Sequence, residues 1–523
     1  LFKNESLDDK IISSLLIYQY LKENPKILLN NEKLFNQIKS YILDTILIPY
    51  SNEKNSEENK NINESKISFI IERFCYSMSI IVSIGCCSYW PNAIDEMISF
   101  GKKTIKHTYL VTIIFGNCNN ELKELFLPNK YEFIIKNKFI EKKEEFKNFI
   151  NTIFVNKDKI DKKLYNKTVD LAINLTSLEV NILYIPNLVK VILSDINLSN
   201  IDSLIKLFRE SINYSKSKKL EDEYNDLDIS EYDGKISKDE LISFSYIIDI
   251  IINYVQNHIN NIDEDIAFGL GQIFSSFTEN YVYMFFKKDS LSQKIFNLFL
   301  YFISHKLRKI SQLFFETISI INHFIKGNYK FSNYTEDEKV QFMNYFIEIL
   351  FNITKNCIFK SITKKQDIQL AEEYITILNT QNNKNAEINN QINEEKEDII
   401  DEINEISIDD YRIAAEDAFT NIFEIFAVNY GKNGVNYFFT KITENIIPFL
   451  DKQYNEINEQ NILLVEVVIY IIKSISNSFE DLNLERNSLN QFTLILIKSQ
   501  IILNNFILVK SLLLIDEASS IFD

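Results

Sequence analysis

The chain has 523 residues, a formal charge of −17 and a pI near 5.0, which exceeds one compact core and lacks the basic balance that phosphate backbones require. Nine Gly and six Pro leave most of it unpunctuated, a scarcity that permits long helices and argues against a turn-rich β fold. The surplus of Asn, Lys and Ile is a composition bias that carries little about function.

In chain order, the apolar spacing predicts a first hairpin over 8–23 and 32–48, then a polar loop at 51–66. In 67–103 the residues Ile70, Phe74, Ser77, Ile81 and Ile84 step by three and four, one stripe along a helix. Tyr89-Trp90-Pro91 ends that helix, because Pro91 disfavours helical geometry at Trp90 and is suited to opening the next. The next helix carries Ile94, Met97 and Ile98. Neither helix can bury its apolar stripe alone, so the pair reads as one unit of a stack. Trp90, the only Trp, reads as the buried anchor of the turn.

Helices follow at 105–118, 131–156, 164–179, 186–195 and 201–214, and a charged loop at 215–239. The pattern resumes at 240–260, 263–286, 291–305 and 307–326, then at 336–359 with Phe342, Phe346, Ile349 and Ile353. An acidic low-complexity insert occupies 380–407. Beyond it come Ala415, Phe419, Ile422 and Phe426, a break at Gly431 and Gly434, and helices at 435–450, 461–479, 488–500 and 503–522. No alternating strand pattern persists. The chain therefore reads as all-α, a single α-solenoid of HEAT-like hairpins over 1–523 forming a right-handed superhelical arch. About ten or eleven pairs fit at the HEAT-type period.

Motifs for catalysis are missing: there is no P-loop, nucleophile elbow, H-E-x-x-H or dinucleotide fingerprint. Four His and five Cys are scattered without ligand spacing, so neither a cofactor nor a metal is expected, and the Cys read as packed thiols of a reducing compartment. Residues 229–240 mimic an EF-hand loop, with Asp233, Gly234, Ile236 and Glu240 in register. Ile229 stands where the first oxygen ligand is needed, which favours a solvated loop. The apolar runs 295–304 and 492–515 are respectively short and interrupted by Lys498 and Lys510, so no membrane span is read. Helix 138–156 carries mixed charge and reads as an ordinary helix of the stack before a partner-binding ridge. In the insert, Glu394, Glu395, Glu397, Asp398, Asp401 and Glu402 form a dense negative run. It is a solubilising linker or, functionally, an arm that reaches for a basic partner.

The order of these segments resembles the β-karyopherins, in the transportin-SR/importin-13 branch. The likeness rests on the Trp90 hairpin with Ile94, Met97 and Ile98, on 273–279 (IFSSFTE), on Asp409-Asp410-Tyr411-Arg412 after the insert, and on Glu466, Ile469 and Ile472 in 462–479. It departs from the family at Thr317-Ile318, where a Phe-Trp pair is expected, and the chain resembles the N-terminal portion of longer receptors. Residues before Leu1 and after Asp523 are accordingly expected to exist.

The resemblance implies a monomeric receptor that binds GTP-loaded Ran on a concave N-terminal face and meets phenylalanine-glycine nucleoporins. It would carry basic protein cargo between cytoplasm and nucleus, without membrane insertion or direct nucleic-acid binding. On the second helices of the first two hairpins, the residues left facing Ran would be Asn36, Gln37 and Ser40, then Asp95, Glu96, Ser99 and Lys102. The rival reading is a static HEAT-repeat scaffold whose associations ignore nucleotide state.

Overall fold

A computed structural model describes residues 7–52, 63–220, 237–258, 263–327, 335–366, 408–450 and 459–503, together with 507, 511 and 514, with short breaks at 126, 157–158, 177–179, 195, 197, 199, 288, 306 and 445. Among the described residues every regular element is helical. The acidic insert and the 503–522 helix lie largely or wholly outside them, as do 53–62 and 221–236. The chain divides into two compact units, Leu1–Tyr224 with Gly234–Gly269, and Asn225–Asp233 with Leu270–Asp523.

The first unit contains α1 (Leu7–Glu23), α2 (Pro25–Asn30), α3 (Glu32–Ile42), α4 (Ile48–Asn52), α5 (Asn63–Gly85), α6 (Ala93–Gly101) and α7 (Ile105–Glu124). After these come α8 (Asn129–Glu141), α9 (Lys143–Val155), α10 (Lys162–Thr176), α11 (Pro186–Leu193), α12 (Ile201–Leu220), α13 (Lys238–Asn257) and the start of α14 (Glu264–Asn280). Two rows run through it. The first helices pack in succession, α1 on α5, α5 on α7, α7 on α10 and α10 on α12, while α6 packs on α9, α9 on α11 and α11 on α13.

Small residues set how closely these helices approach. Ser79 on α5 donates its hydroxyl to the Ile114 carbonyl of α7 at 2.7 Å. A methyl group at Gly116 would touch the Leu171 backbone of α10 at 3.5 Å. The stripe Ile70, Phe74, Ser77, Ile81 and Ile84 is buried, as are Ile94, Met97 and Ile98. Burial pushes the Cys86 thiol up to about 12 and the Cys87 thiol to about 11, so these cysteines pack as thiols and not thiolates.

Several predicted boundaries shift. The expected 32–48 helix is α3, a π turn at Leu43–Leu47 and α4, while α2 opens on Pro25. The expected 131–156 helix breaks at Lys142, and Phe139 and Phe146 on either side of the break stack in parallel (5.6 Å between centroids, 4° between planes), with the Phe115 ring near-perpendicular to both. The expected loop at 215–239 is shorter at both ends. α12 continues to Leu220, and α13 starts at Lys238 under a capping box between Ser237 and Glu240. Glu240, the residue an EF-hand would use as its last ligand, spends its carboxylate on the Ser237 amide at 2.9 Å.

The second unit holds the rest of α14 and α15 (Ser290–Ile303), α16 (Arg308–Ser311), α17 (Phe315–Gly327), α18 (Glu336–Gln366) and α19 (Ile408–Thr443). It ends with α20 (Ile447–Leu450), α21 (Glu459–Ser474), α22 (Ser478–Asp481) and α23 (Asn487–Lys498). Two stretches, Ser65–Gly85 and Asn461–Asp481, are long and apolar enough to cross a membrane, and each is 67% buried within the fold, the pattern of a core helix. The expected break at Gly431 is a kink inside α19, where Gly431 has φ of 53°. At Gly434 an added methyl carbon would lie 2.1 Å from the Phe426 carbonyl oxygen. Backbone cannot yield there as a side chain could, so Gly434→Ala is expected to destabilise the second unit by about 3 kcal/mol in chemical denaturation. Unchanged stability would show that the kink tolerates a side chain.

Candidate interaction surface

The second-helix row of the first unit is built around the turn between α5 and α6. The α5 helix ends at Gly85, a turn follows, and α6 starts at Ala93. Pro91 is therefore an exposed turn residue two places before the helix, a correction to its expected role of opening it. Trp90 is 5% exposed and fills the space over Gly85, where its Cβ would lie 3.1 Å from a methyl group added there. Its indole N–H donates to Glu96 Oε2 at 2.8 Å. Lys39 of α3 lies over the indole face at 4.8 Å. Tyr89 donates its hydroxyl to the Leu29 carbonyl of α2 at 2.9 Å. One turn thus ties α2, α3, α5 and α6 together.

This ties the expected residues of the two hairpins into one neighbourhood through Lys39, Trp90 and Glu96. On α3, Gln37 and Ser40 are exposed and Asn36 is half-buried. On α6, Ser99 and Lys102 are exposed and uncommitted to the turn. Glu96 is exposed but engaged by Trp90. Asp95 is half-buried and paired with Lys142 at 2.8 Å, and Lys142 also reaches Glu145 at 3.6 Å. Of the residues expected to be free for a partner, Glu96 and Asp95 are therefore already held by this chain. Lys39 and Lys142 were missed in the sequence because neither belongs to a local motif; only the packing brings them to Trp90 and Asp95. The insert residues Glu394, Glu395, Glu397, Asp398, Asp401 and Glu402 lie outside the described residues.

Two segments that carry the likeness meet in the second unit. Arg412 of α19 makes a bidentate pair with Glu466 of α21, at 2.9 and 2.7 Å, and the Glu466 side chain is 1% exposed. Burial works against the guanidinium charge, and the Glu466 carboxylate outweighs it, so Arg412 holds its proton more tightly than usual. Tyr470 lies under the guanidinium at 5.3 Å and donates to the Arg412 carbonyl at 2.9 Å. Tyr411 is fully buried with its hydroxyl 3.1 Å from Ser311 Oγ. The segment 273–279 is pinned likewise, with Ser275 donating to the Leu313 carbonyl at 2.8 Å and Thr278 bonded to Thr317 at 2.8 Å. These polar groups lock helices together. Among the described residues no three His, Cys, Asp or Glu converge as a metal site.

Comparison with protein-family models and with curated proteins finds no match to this chain.

Trp90→Ala is expected to cost about 3 kcal/mol or more and to lower the melting temperature of the first unit. Trp90→Phe, which keeps the packing and loses the indole bond, is expected to cost less than half as much. Equal effects would assign the anchor to the hydrogen bond and not to the ring. Glu466→Ala is expected to cost about 3–5 kcal/mol by stranding a buried guanidinium, whereas the paired change Arg412→Met with Glu466→Leu is expected to restore most of the loss. A double variant as unstable as the single one would contradict that reading.

Proposed function

We propose that this chain is a non-catalytic receptor made of stacked HEAT-like hairpins, an α-solenoid, acting in nuclear transport. GTP-loaded Ran would dock on α3 and α6, and protein cargo would bind elsewhere on the receptor. The observation that carries the reading is the Trp90 turn. It is a segment through which the chain resembles the β-karyopherins, and it is also the node that binds α2, α3, α5 and α6 into one surface. Nearest-neighbour packing along two rows supports it as well, because such a stack presents broad faces to proteins.

On this reading Gln37, Ser40, Ser99 and Lys102 touch Ran directly, while Asp95 and Glu96 keep the helices in register through Lys142 and Trp90. Transport logic then needs only differential binding: Ran and cargo share the receptor with a coupling free energy, and the GTPase chemistry belongs to Ran.

The test is the affinity of the full-length protein for Ran locked with a non-hydrolysable GTP analogue and for Ran-GDP, by isothermal titration. The GTP form is expected to bind at least about ten-fold tighter, and Lys102→Glu to weaken it without lowering the melting temperature. Equal affinities, or no binding to either form, would overturn the proposal. Stable partners whose association ignores nucleotide would favour a static scaffold.

A further inference from the structure

The other row of the first unit carries a cluster of a different kind. On α5, Arg73 has its guanidinium over the rings of Tyr18 (5.2 Å), Phe69 (5.4 Å) and Tyr76 (5.6 Å). Among the described residues Arg73 makes no ion pair, and besides those three rings it acts on the Glu121 carboxylate of α7, which accepts from the Tyr18 hydroxyl at 2.8 Å. The preceding residue, Glu72, accepts from Tyr109 of α7 at 2.9 Å and is paired with Lys163 (3.1 Å) and Lys167 (3.7 Å) of α10. Lys163 also lies over the Tyr109 ring at 5.0 Å.

Ring contacts hold a cation in position without cancelling its charge, whereas a carboxylate would do both. Here four cations, Arg73, Lys163, Lys167 and Lys22, stand against the three carboxylates of Glu72, Glu121 and Glu124, so the local charge is positive by one on a chain whose total is −17. Burial works to raise the Glu72 carboxyl, but Lys163, Tyr109 and Lys167 outweigh it and keep it ionised below the usual range. Glu72 thus serves the two lysines, and Arg73 is left with its planar fork of donors. Phe69, 41% exposed, flanks that fork with an apolar ring.

We infer that Arg73, flanked by Phe69 and Tyr76 and backed by Lys163 and Lys167, is a docking point for an acidic peptide segment of a partner protein, one in which carboxylates alternate with aromatic side chains. A carboxylate would take the guanidinium bidentately, and the exposed ring of Phe69 would receive the neighbouring aromatic. Charge complementarity selects this occupant. The chain's overall negative charge opposes a long polyanion such as RNA, while a short acidic stretch senses mainly the local cations within a screening length. This surface lies on the first-helix row, and the inference does not depend on Ran binding.

The probe is a fluorescently labelled synthetic peptide of alternating Glu and Tyr, titrated into the full chain and followed by anisotropy. Saturable binding that weakens as salt rises is expected. Arg73→Gln is expected to lose about ten-fold in affinity, since charge-assisted bonds are the stronger kind, and to melt like the parent because Glu121 keeps the Tyr18 hydroxyl and Lys22 beside it. Arg73→Lys, which keeps charge but not the fork, is expected to fall between the two. Lys167→Gln supplies a second variant that leaves Glu72 paired with Lys163. No saturable binding at low salt, or binding indifferent to both Arg73→Gln and Lys167→Gln, would overturn the inference. Equally tight binding of single-stranded RNA of matched charge would overturn the choice of an acidic peptide.

Discussion

Helices α5, α7 and α10 pack side by side, with the middle turns of α5 and α7 closed off from water, and this contact decides the organisation of the first unit. From Met78 to Ile84 of α5 and from Leu110 to Phe115 of α7, residues on every side of the helix are buried. A helix apolar all round cannot face solvent, so each must have neighbours on both flanks. Ser79 and Gly116 make the flanks close enough, and the hydroxyl of Ser79 finds the Ile114 carbonyl without leaving a buried donor unpaired. The end helices of that row, α1 on one side and α12 on the other, follow from the need to cover what remains.

Within that frame the polar residues divide into two kinds. Glu466, Tyr411, Ser275 and Thr278 are buried, Arg412 is half-buried, and all of them bond between helices. Gln37 and Ser40 of α3, Ser99 of α6 and Lys102 just beyond it are exposed, and Arg73 of α5 lies over three rings without an ion pair among the described residues. Structural polar groups are paired within the chain, and the groups suited to partners are the ones that packing leaves unneutralised.

Much of this was legible in the amino-acid order. The stripe from Ile70 to Ile84 gave the buried face of α5, the repeat of Ala415, Phe419, Ile422 and Phe426 gave that of α19, and Trp90 stood out as a turn anchor. Boundaries read less well: the break at Lys142 falls between Phe139 and Phe146, which stack on each other beside Phe115 from another helix. Long-range pairs were illegible for the same reason. Nothing local to Arg412 names Glu466, nothing near Asp95 names Lys142, and Pro91 could not announce that α6 waits until Ala93. Nor does the pattern around Glu240 distinguish a calcium ligand from a helix cap until Ser237 is seen to receive it.

Coupling through nearest neighbours is the central physical claim, and hydrogen exchange on Trp90→Ala against the parent chain tests it most directly. Loss of the indole should release amide protection in α3, α5 and α6 while α12 and α13 keep theirs, because local stability depends on the helices that each element packs against. Loss of protection spread evenly over the whole unit, or none at α6, would contradict it.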